Sequence, residues 1–387
     1  MGSKYEFRSL GDLADFSSGG TPSKKVTAYW NGDIPWISAK TLKEDDIYTS
    51  NLFITQEGLA AGSKIADAGS LLILTRGSGL FKDIPIGYVA APVAFNQDIK
   101  AISVTAKNQI SSRFLFYALK SCKSKISEMV ETTGIGAGKL SADRLLSMKL
   151  PIPNKEIQQK ILSIVRPIDN GISLNNQIND YLLELATVRF EQALISESDT
   201  FRFSELVELE DSKREPLNSR DRETRKGIYP YYGATSIMDY IDDYLFDGIR
   251  VLVGEDGTVI QEDGKPVLQY VWGKYWVNNH AHVLRSKSDY SLEAIYIALA
   301  RTAISHIVTG AVQMKISQKN LNNLELEMPQ PSSLRYLEDI FTLYRKSTEE
   351  SKMLERLRDL LLPRLMSGEI DVSKIDITQL NNHLSAD

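Results

Sequence analysis

The feature that most constrains this chain is that it contains its own pattern twice. The segment TTGIGAGKLSADRLLSMKLPIP, Thr132 to Pro153, returns about 176 residues later as VTGAVQMKISQKNLNNLELEMPQP, Val308 to Pro331. Thr133-Gly134 aligns with Thr309-Gly310, and Lys139-Leu140-Ser141 with Lys315-Ile316-Ser317. Leu145 matches Leu321, Leu150 matches Leu326, and a Pro-x-Pro pair closes each copy. Further upstream FLFYAL (Phe114 to Leu119) resembles AIYIAL (Ala294 to Leu299), and PVAFNQD resembles KYWVNNH. Such a repeat points to two similar units rather than one large core.

The repeat also decides what the glycines of the first copy are for. Gly134, Gly136, Gly138 and Lys139 resemble a phosphate-binding loop, which requires G-x-x-x-x-G-K-[ST] so that backbone N–H groups wrap a phosphate. The position of the first glycine is Thr133, and Leu140 stands where the hydroxyl should be. The second copy carries Ala311, Val312, Gln313 and Met314 in place of the extra glycines. What recurs is a Thr-Gly turn and a lysine leading into a short strand.

Two long helical segments follow the two copies. Ile161, Ile164, Ile168, Ile178, Leu182 and Leu185 fall on steps of three and four, the period of a helix burying one stripe. The same frame downstream gives Leu337, Ile340, Tyr344, Leu354, Arg358 and Leu361. Both stripes are interrupted at the same place, by Gly171 and Asn175 and by Ser347 and Ser351. Polar residues at such positions fix register between paired helices. Two separate amphipathic helices, each on its own domain, is the alternative. Pro167 is expected to kink or break the first segment, and Gly368 to stop the second. If the helices pair antiparallel, 35–40 residues at 1.5 Å each give a rod of roughly 55 Å. One DNA turn is about 34 Å, so two modules could sit over two half-sites.

The expected organisation is a first globular unit over residues 1–153, a long helix over 154–197 and a second globular unit over 198–331. A second long helix over 332–368 and a tail over 369–387 complete it. Each unit reads as mixed α/β. GSLLILTRGSG is a buried strand delivering Arg76 into a glycine-rich turn, and IRVLVGEDG is its analogue. The polar loops supply candidate DNA contacts: Thr21, Lys40, Arg76, Ser78, Lys82, Asn96, Gln97 and Lys139 in the first unit. In the second they are Tyr231, Tyr232, Lys274, Asn279, His280, Gln313 and Lys315.

Composition narrows the classes. With 387 residues, 42% of them hydrophobic, the chain has length for two domains. The single cysteine, Cys122, excludes a disulfide framework and fits a reducing cytoplasm. No run approaches a membrane span, and the N-terminus lacks a secretion-type apolar core. A net charge of −5 counts against a simple basic DNA-binding domain. Two histidines, His280 and His282, share a strand face, but no carboxylate stands at an obvious ligand spacing. Glu255, Asp256, Asp263 and Lys265 have the D-x-K spacing of some magnesium-dependent nucleases, and the same residues also read as a polar hairpin.

Taken together, the sequence resembles the specificity (S) subunits of type I restriction–modification enzymes. The resemblance rests on LGDLADFSSGGTPS...YWNGDIPWIS, on TTG...KLSADRLLSMKLPIP followed by EIQQKILSIV, and on the closing LLPRLMSGEI. It implies two target recognition domains, each reading one half of a split double-stranded DNA target, separated by two antiparallel helices. Those helices dock methyltransferase subunits, two being expected, and restriction subunits join the complex. It also implies a non-catalytic chain without a cofactor, whose partners use S-adenosylmethionine, ATP and Mg. If partners supply phosphate contacts, the acidic balance is eased. The second unit departs from the GGTPS opening, offering YPYYGATS, so the two half-sites are expected to differ. The rival readings are the nuclease and a purely protein–protein adaptor.

Overall fold

The computed structural model describes residues 5–134, 136–310 and 313–375. The chain divides into two compact units, Met1–Ser173 with Ser351–Asp387, and Leu174–Glu350. The division therefore falls inside both long helices, at the interrupted positions of their stripes, and each unit takes half of each helix. This differs from the expected organisation, in which the helices stand apart as spacers. Their apolar faces are needed to complete the two cores.

Each unit opens and closes on the same device. In the first, Tyr5–Ser9 runs antiparallel to Lys149–Pro153. In the second, Ser198–Arg202 runs antiparallel to Glu325–Pro329. A single helical turn follows each opening strand, Leu10–Leu13 and Phe203–Leu206, its apolar ends fully buried.

The first unit's main sheet has the order Ala14–Ser18, Ile99–Val104, Leu71–Leu74, Ile86–Val89, Asp46–Ile47. The unbroken apolar run Leu71–Leu74 is buried on both faces, as a central strand must be. A second sheet contains Phe53–Ile54, Trp30–Ile37, Val93–Phe95 and Lys64–Ala66. The helix Ser112–Ser121 covers the core, and the Ser111 hydroxyl caps it by accepting from the Phe114 N–H at 3.2 Å.

The second unit repeats the plan. Its main sheet has the order Val207–Leu209, Ala281–Ser286, Arg250–Gly254, Leu268–Val271. The second sheet has the order Ile237–Ile241, Lys226–Tyr232, Lys274–Val277, Phe246–Asp247. The helix Leu292–Arg301 is capped by Ser291 in the same way, from the Ala294 N–H. The fold is mixed α/β and duplicated.

The long helices span Lys155–Ser196 and Tyr336–Ser367. Within the first unit, Arg358 donates to Asp169 at 3.1 Å, and Gly171 faces the Leu354 side chain. Within the second, Ser347 Oγ donates to the Asn175 carbonyl at 3.2 Å, Asn179 to Thr348 Oγ1 at 3.0 Å, and Arg189 lies over the Tyr336 ring. Residue numbers fall along one helix as they rise along the other, so in each unit the segments are antiparallel.

The buried stripe of the first helix is Ile161, Val165, Ile168, Ile172, Asn175, Asn179, Ala186 and Phe190. Leu182 and Ile164 are half-buried. Two expected pairing residues are corrected: Ile178 is 39% and Leu185 46% exposed, and the inward places beside them belong to Asn179 and Ala186. Extrapolating through the interruption favoured the larger apolar neighbour over the residue that the helical period turns inward. On the second helix Leu337 and Ile340 are buried, while Tyr344, Leu354, Arg358 and Leu361 are half-buried. Pro167 does not break the helix. It is exposed, and the carbonyl it leaves without a donor belongs to exposed Ser163. Gly368, at φ +78°, ends the second helix in the left-handed conformation.

Candidate nucleic-acid interface

In the first unit the buried strand Leu71–Leu74 leads to Thr75, whose hydroxyl and N–H both donate to the Asp98 carbonyl. The next residues, Arg76–Gly77, pair with Gly138–Leu140, which pairs in turn with Val130–Thr132. Arg76 and Lys139 are direct partners in this ribbon. Both are exposed, and among the described residues neither has a carboxylate in ion-pair range. Glu131, opposite Lys139 on its other side, is bound to Arg144 at 3.0 Å.

The Thr-Gly motif closes this hairpin. Thr133 Oγ1 donates to the Ala137 carbonyl at 2.9 Å and accepts from the Ala137 N–H at 3.1 Å. Thr309 acts similarly in the second copy, donating to the Lys315 carbonyl at 3.2 Å. Ala311 and Val312 lie outside the described residues, and Gln313 is exposed. Ser78 and Lys82 are exposed around the short 3₁₀ turn Ser78–Phe81, and Lys40 is exposed on a separate turn.

Two neighbouring candidates separate. Asn96 is 6% exposed, its carbonyl accepting from the Asp98 N–H at 3.1 Å and its amide donating to the Asp98 carboxylate at 3.2 Å. It is a buried turn-former whose polar atoms are engaged by Asp98, not an exposed group free for a base contact. Gln97 is exposed and accepts from Thr21 Oγ1 at 2.6 Å, so these two present one polar edge. In the second unit the same places are taken by Asn278, which is buried and accepts from the His280 N–H at 2.8 Å, and by exposed Asn279.

Pairing fixes the correspondence of the two recognition turns. The Leu140 N–H donates to the Thr75 carbonyl, and the Ile316 N–H to the Glu255 carbonyl. Glu255 therefore matches Thr75, Asp256 matches Arg76, and Lys315 matches Lys139. Asp256 is indeed the bridge partner of Lys315. Charge at the equivalent place is reversed. Lys315 Nζ lies 3.3 Å from Glu255, and half-exposed His280 is hydrogen-bonded to Asp256.

Tyr231 is also corrected. It is 1% exposed, and its hydroxyl accepts from the Leu217 N–H at 2.9 Å, which makes it core. Tyr232 is half-buried against Tyr275, and burial pushes its phenol up to about 12. Lys274 is exposed, its ammonium 4.4 Å from the Tyr244 ring centre. Its hydrogen bond to Tyr244 raises its pKa.

Beneath the second turn lies a polar network that sequence reading missed. Asp211 receives the Val283 N–H at 2.9 Å, His282 Nδ1 at 2.6 Å and Gln318 Nε2 at 2.6 Å. Its burial opposes ionisation, but the His282 hydrogen bond and charge, with Val283 and Arg214, hold its carboxyl below the usual range. Arg214 donates to Glu255 at 2.7 Å and to the Ala281 carbonyl at 2.7 Å. The first unit has a single pair at the same register, Lys100 donating to Ser18. Aligning LGDLADFSS with FSELVELED would have placed Asp211 opposite His282.

The acidic cluster read as a nuclease site does not converge. Asp263 is paired with Lys265 at 2.9 Å on an exposed hairpin, Asp256 with His280, and Glu255 with Arg214 and Lys315. Among the described residues, Asp211, Glu255 and His282 bring possible ligand atoms within 4.8 Å. The Arg214 guanidinium already bridges that group, 2.7 Å from Glu255 and 3.4 Å from Asp211. Among the described residues, no helix is long and apolar enough to cross a membrane.

Comparison with known proteins agrees with this duplicated architecture. The family described as type I restriction modification DNA specificity domain matches residues 2–184 and 195–352, one copy per repeat. The Escherichia coli type I restriction enzyme EcoR124I/EcoR124II specificity subunit is 33% identical over 49% of this chain and 46% of its own length. The Methanocaldococcus jannaschii type I restriction enzyme MjaIX specificity subunit is 24% identical over 96% of this chain and 94% of its own. The crystal structure of the type-I restriction-modification system S subunit from M. genitalium has the same fold. Its TM-score is 0.52 at 16% identity, covering 94% of this chain and 96% of that one. With both repeats matched, the chain belongs to the type I restriction modification DNA specificity family, as a specificity subunit.

Proposed function

We propose that this subunit reads a split, asymmetric double-stranded DNA target, one half-site per unit, and scaffolds methyltransferase and restriction subunits around it. The observation that carries the asymmetry is the reversed charge at one structural position. The first turn offers Arg76 beside Lys139, without carboxylate partners among the described residues, and the second offers Asp256 and Glu255 holding His280 and Lys315. Two cations suit phosphates or guanine edges, whereas a carboxylate can accept from the cytosine amino group. Unlike chemistry on like scaffolds reads unlike half-sites.

Apolar residues exposed on the long helices, among them Leu174, Tyr181 and Ile195 on the first and Leu343, Met353 and Leu360 on the second, support docking of methyltransferase subunits. Two such subunits are proposed, one for each half of the repeat. S-adenosylmethionine, ATP and Mg belong in this reading to the partners, and the assembly works in the cytoplasm.

Binding selection from random duplex DNA, using the chain co-purified with its methyltransferase, tests the reading. Two short unlike motifs at a fixed gap are expected. One contiguous motif would overturn the two-reader arrangement, and no enrichment would favour the adaptor.

A further inference from the structure

The turn that follows Arg76–Gly77 carries a large apolar side chain that the polar reading of the loop passes over. Phe81 is 51% exposed at the end of the turn Ser78–Phe81. Its neighbour Leu80 is fully buried in the first unit's core. Gly138 permits that anchoring: a Cβ there would lie 3.0 Å from the Leu80 Cβ and from the Gly77 carbonyl. Gly77, at φ +135°, makes the turn into the segment. Phe81 is thus exposed on a turn that packs against Gly138–Leu140, the central strand of a three-stranded ribbon carrying two cations. The equivalent place in the second unit, counted from the matching Gly257, is exposed Gln261.

A single exposed phenylalanine needs no explanation by itself. Here it lies five residues after Arg76, on a turn in contact with the strand that presents Lys139. In the major groove of B-DNA, where base edges are read, the one apolar feature is the thymine C5-methyl group. We infer that Phe81 is a specificity-determining residue of the first unit, its ring packing on a thymine methyl within that unit's half-site. This rests on the reading of the first unit as a DNA reader.

The test uses the chain co-purified with its methyltransferase and duplexes carrying its selected target. Each thymidine of the first half-site, on either strand, is replaced in turn by deoxyuridine, which removes only the methyl. At one position the wild-type complex should bind roughly four-fold more weakly, the equivalent of one methyl contact. The Phe81→Ala complex should bind both duplexes alike, and Phe81→Leu should retain part of the discrimination. Tolerance of every replacement by the wild type, persistence of the discrimination in Phe81→Ala, or a half-site without A·T pairs would overturn the inference. Arg76→Ala separates the two levels. If it weakens the first half-site while the methyl scan is flat, the inference about Phe81 falls alone. If neither affects that half-site, the reading of the unit falls with it.

Discussion

Arg76 and Lys139 face each other across two paired strands, and among the described residues no carboxylate lies within ion-pair range of either. Like charges directly opposed in a sheet cost about 0.2–1 kcal/mol. An arrangement that lowers the stability of the free chain gains if the missing counter-charge is a ligand. Arg76→Ala should therefore leave the thermal midpoint of the free chain unchanged or slightly higher. It should weaken binding at the first half-site by about 1–3 kcal/mol if the guanidinium reads a base. Lys139→Ala should reduce the slope of log affinity against log salt by about 0.9, the signature of one lost phosphate contact. Unaltered affinity at both half-sites would remove the pair from the interface.

Asn96 and Gln97 are adjacent and should behave oppositely. Removing the buried Asn96 side chain leaves the half-buried Asp98 N–H without its acceptor, at a cost of about 1 kcal/mol or more. Asn96→Ala should therefore lower the denaturation midpoint, and Asn278→Ala should do the same through the His280 N–H. Gln97→Ala should leave stability within about 0.5 kcal/mol of the parent. Its effect should appear in half-site preference. Chemical denaturation of the three variants decides between these roles, and equal stability of all three would refute the assignment.

That contrast also shows what was legible in the sequence. The repeat, the mixed α/β class, the buried strand before Arg76 and the two long helices follow from periodicity, which short-range sterics and burial impose directly. Asn96 and Tyr231 were misread because residue type alone does not say whether a polar group meets DNA or its own backbone. Ile178 and Leu185 were misread because the stripe crosses a polar interruption, where the largest apolar residue is no guide to the inward face. The Asp211–His282 pair joins positions 71 residues apart, and no local pattern announces it. Its register could be found only by aligning the opening strands of the two repeats.

Asp211 gives the second unit an acid-sensitive component. Its folded carboxyl titrates below its ordinary 3.8, so its stabilisation is complete above that value and is lost as pH falls through the lower folded value. Removing one member of a buried ion pair costs about 3–5 kcal/mol at neutral pH. Asp211→Asn should therefore be less stable than the parent at pH 7, and the difference should shrink below about pH 3.8. Melting curves of both chains from pH 7 to pH 3 would show this. A difference independent of pH would mean that the carboxylate's charge contributes nothing. Since Gln318 and Arg214 tie this group to the turn bearing Lys315, the variant should also lose second half-site binding before first.

The first long helix carries two apolar surfaces of opposite fate. Ile161 is fully buried in the first core, whereas Ile178 and Leu185 stand outward beside Asn179 and Ala186. Ile161→Ala leaves a cavity and should cost about 2–5 kcal/mol. Ile178→Ser with Leu185→Ser truncates side chains that are 39% and 46% exposed, so it should cost the free chain less than Ile161→Ala does. The double variant should nevertheless fail to co-purify with the methyltransferase, because the exposed apolar area it deletes is what a partner would cover. Destabilisation of the free double variant by several kcal/mol would place these residues in the pairing face after all. A stable double variant with undiminished co-purification would move the docking surface elsewhere.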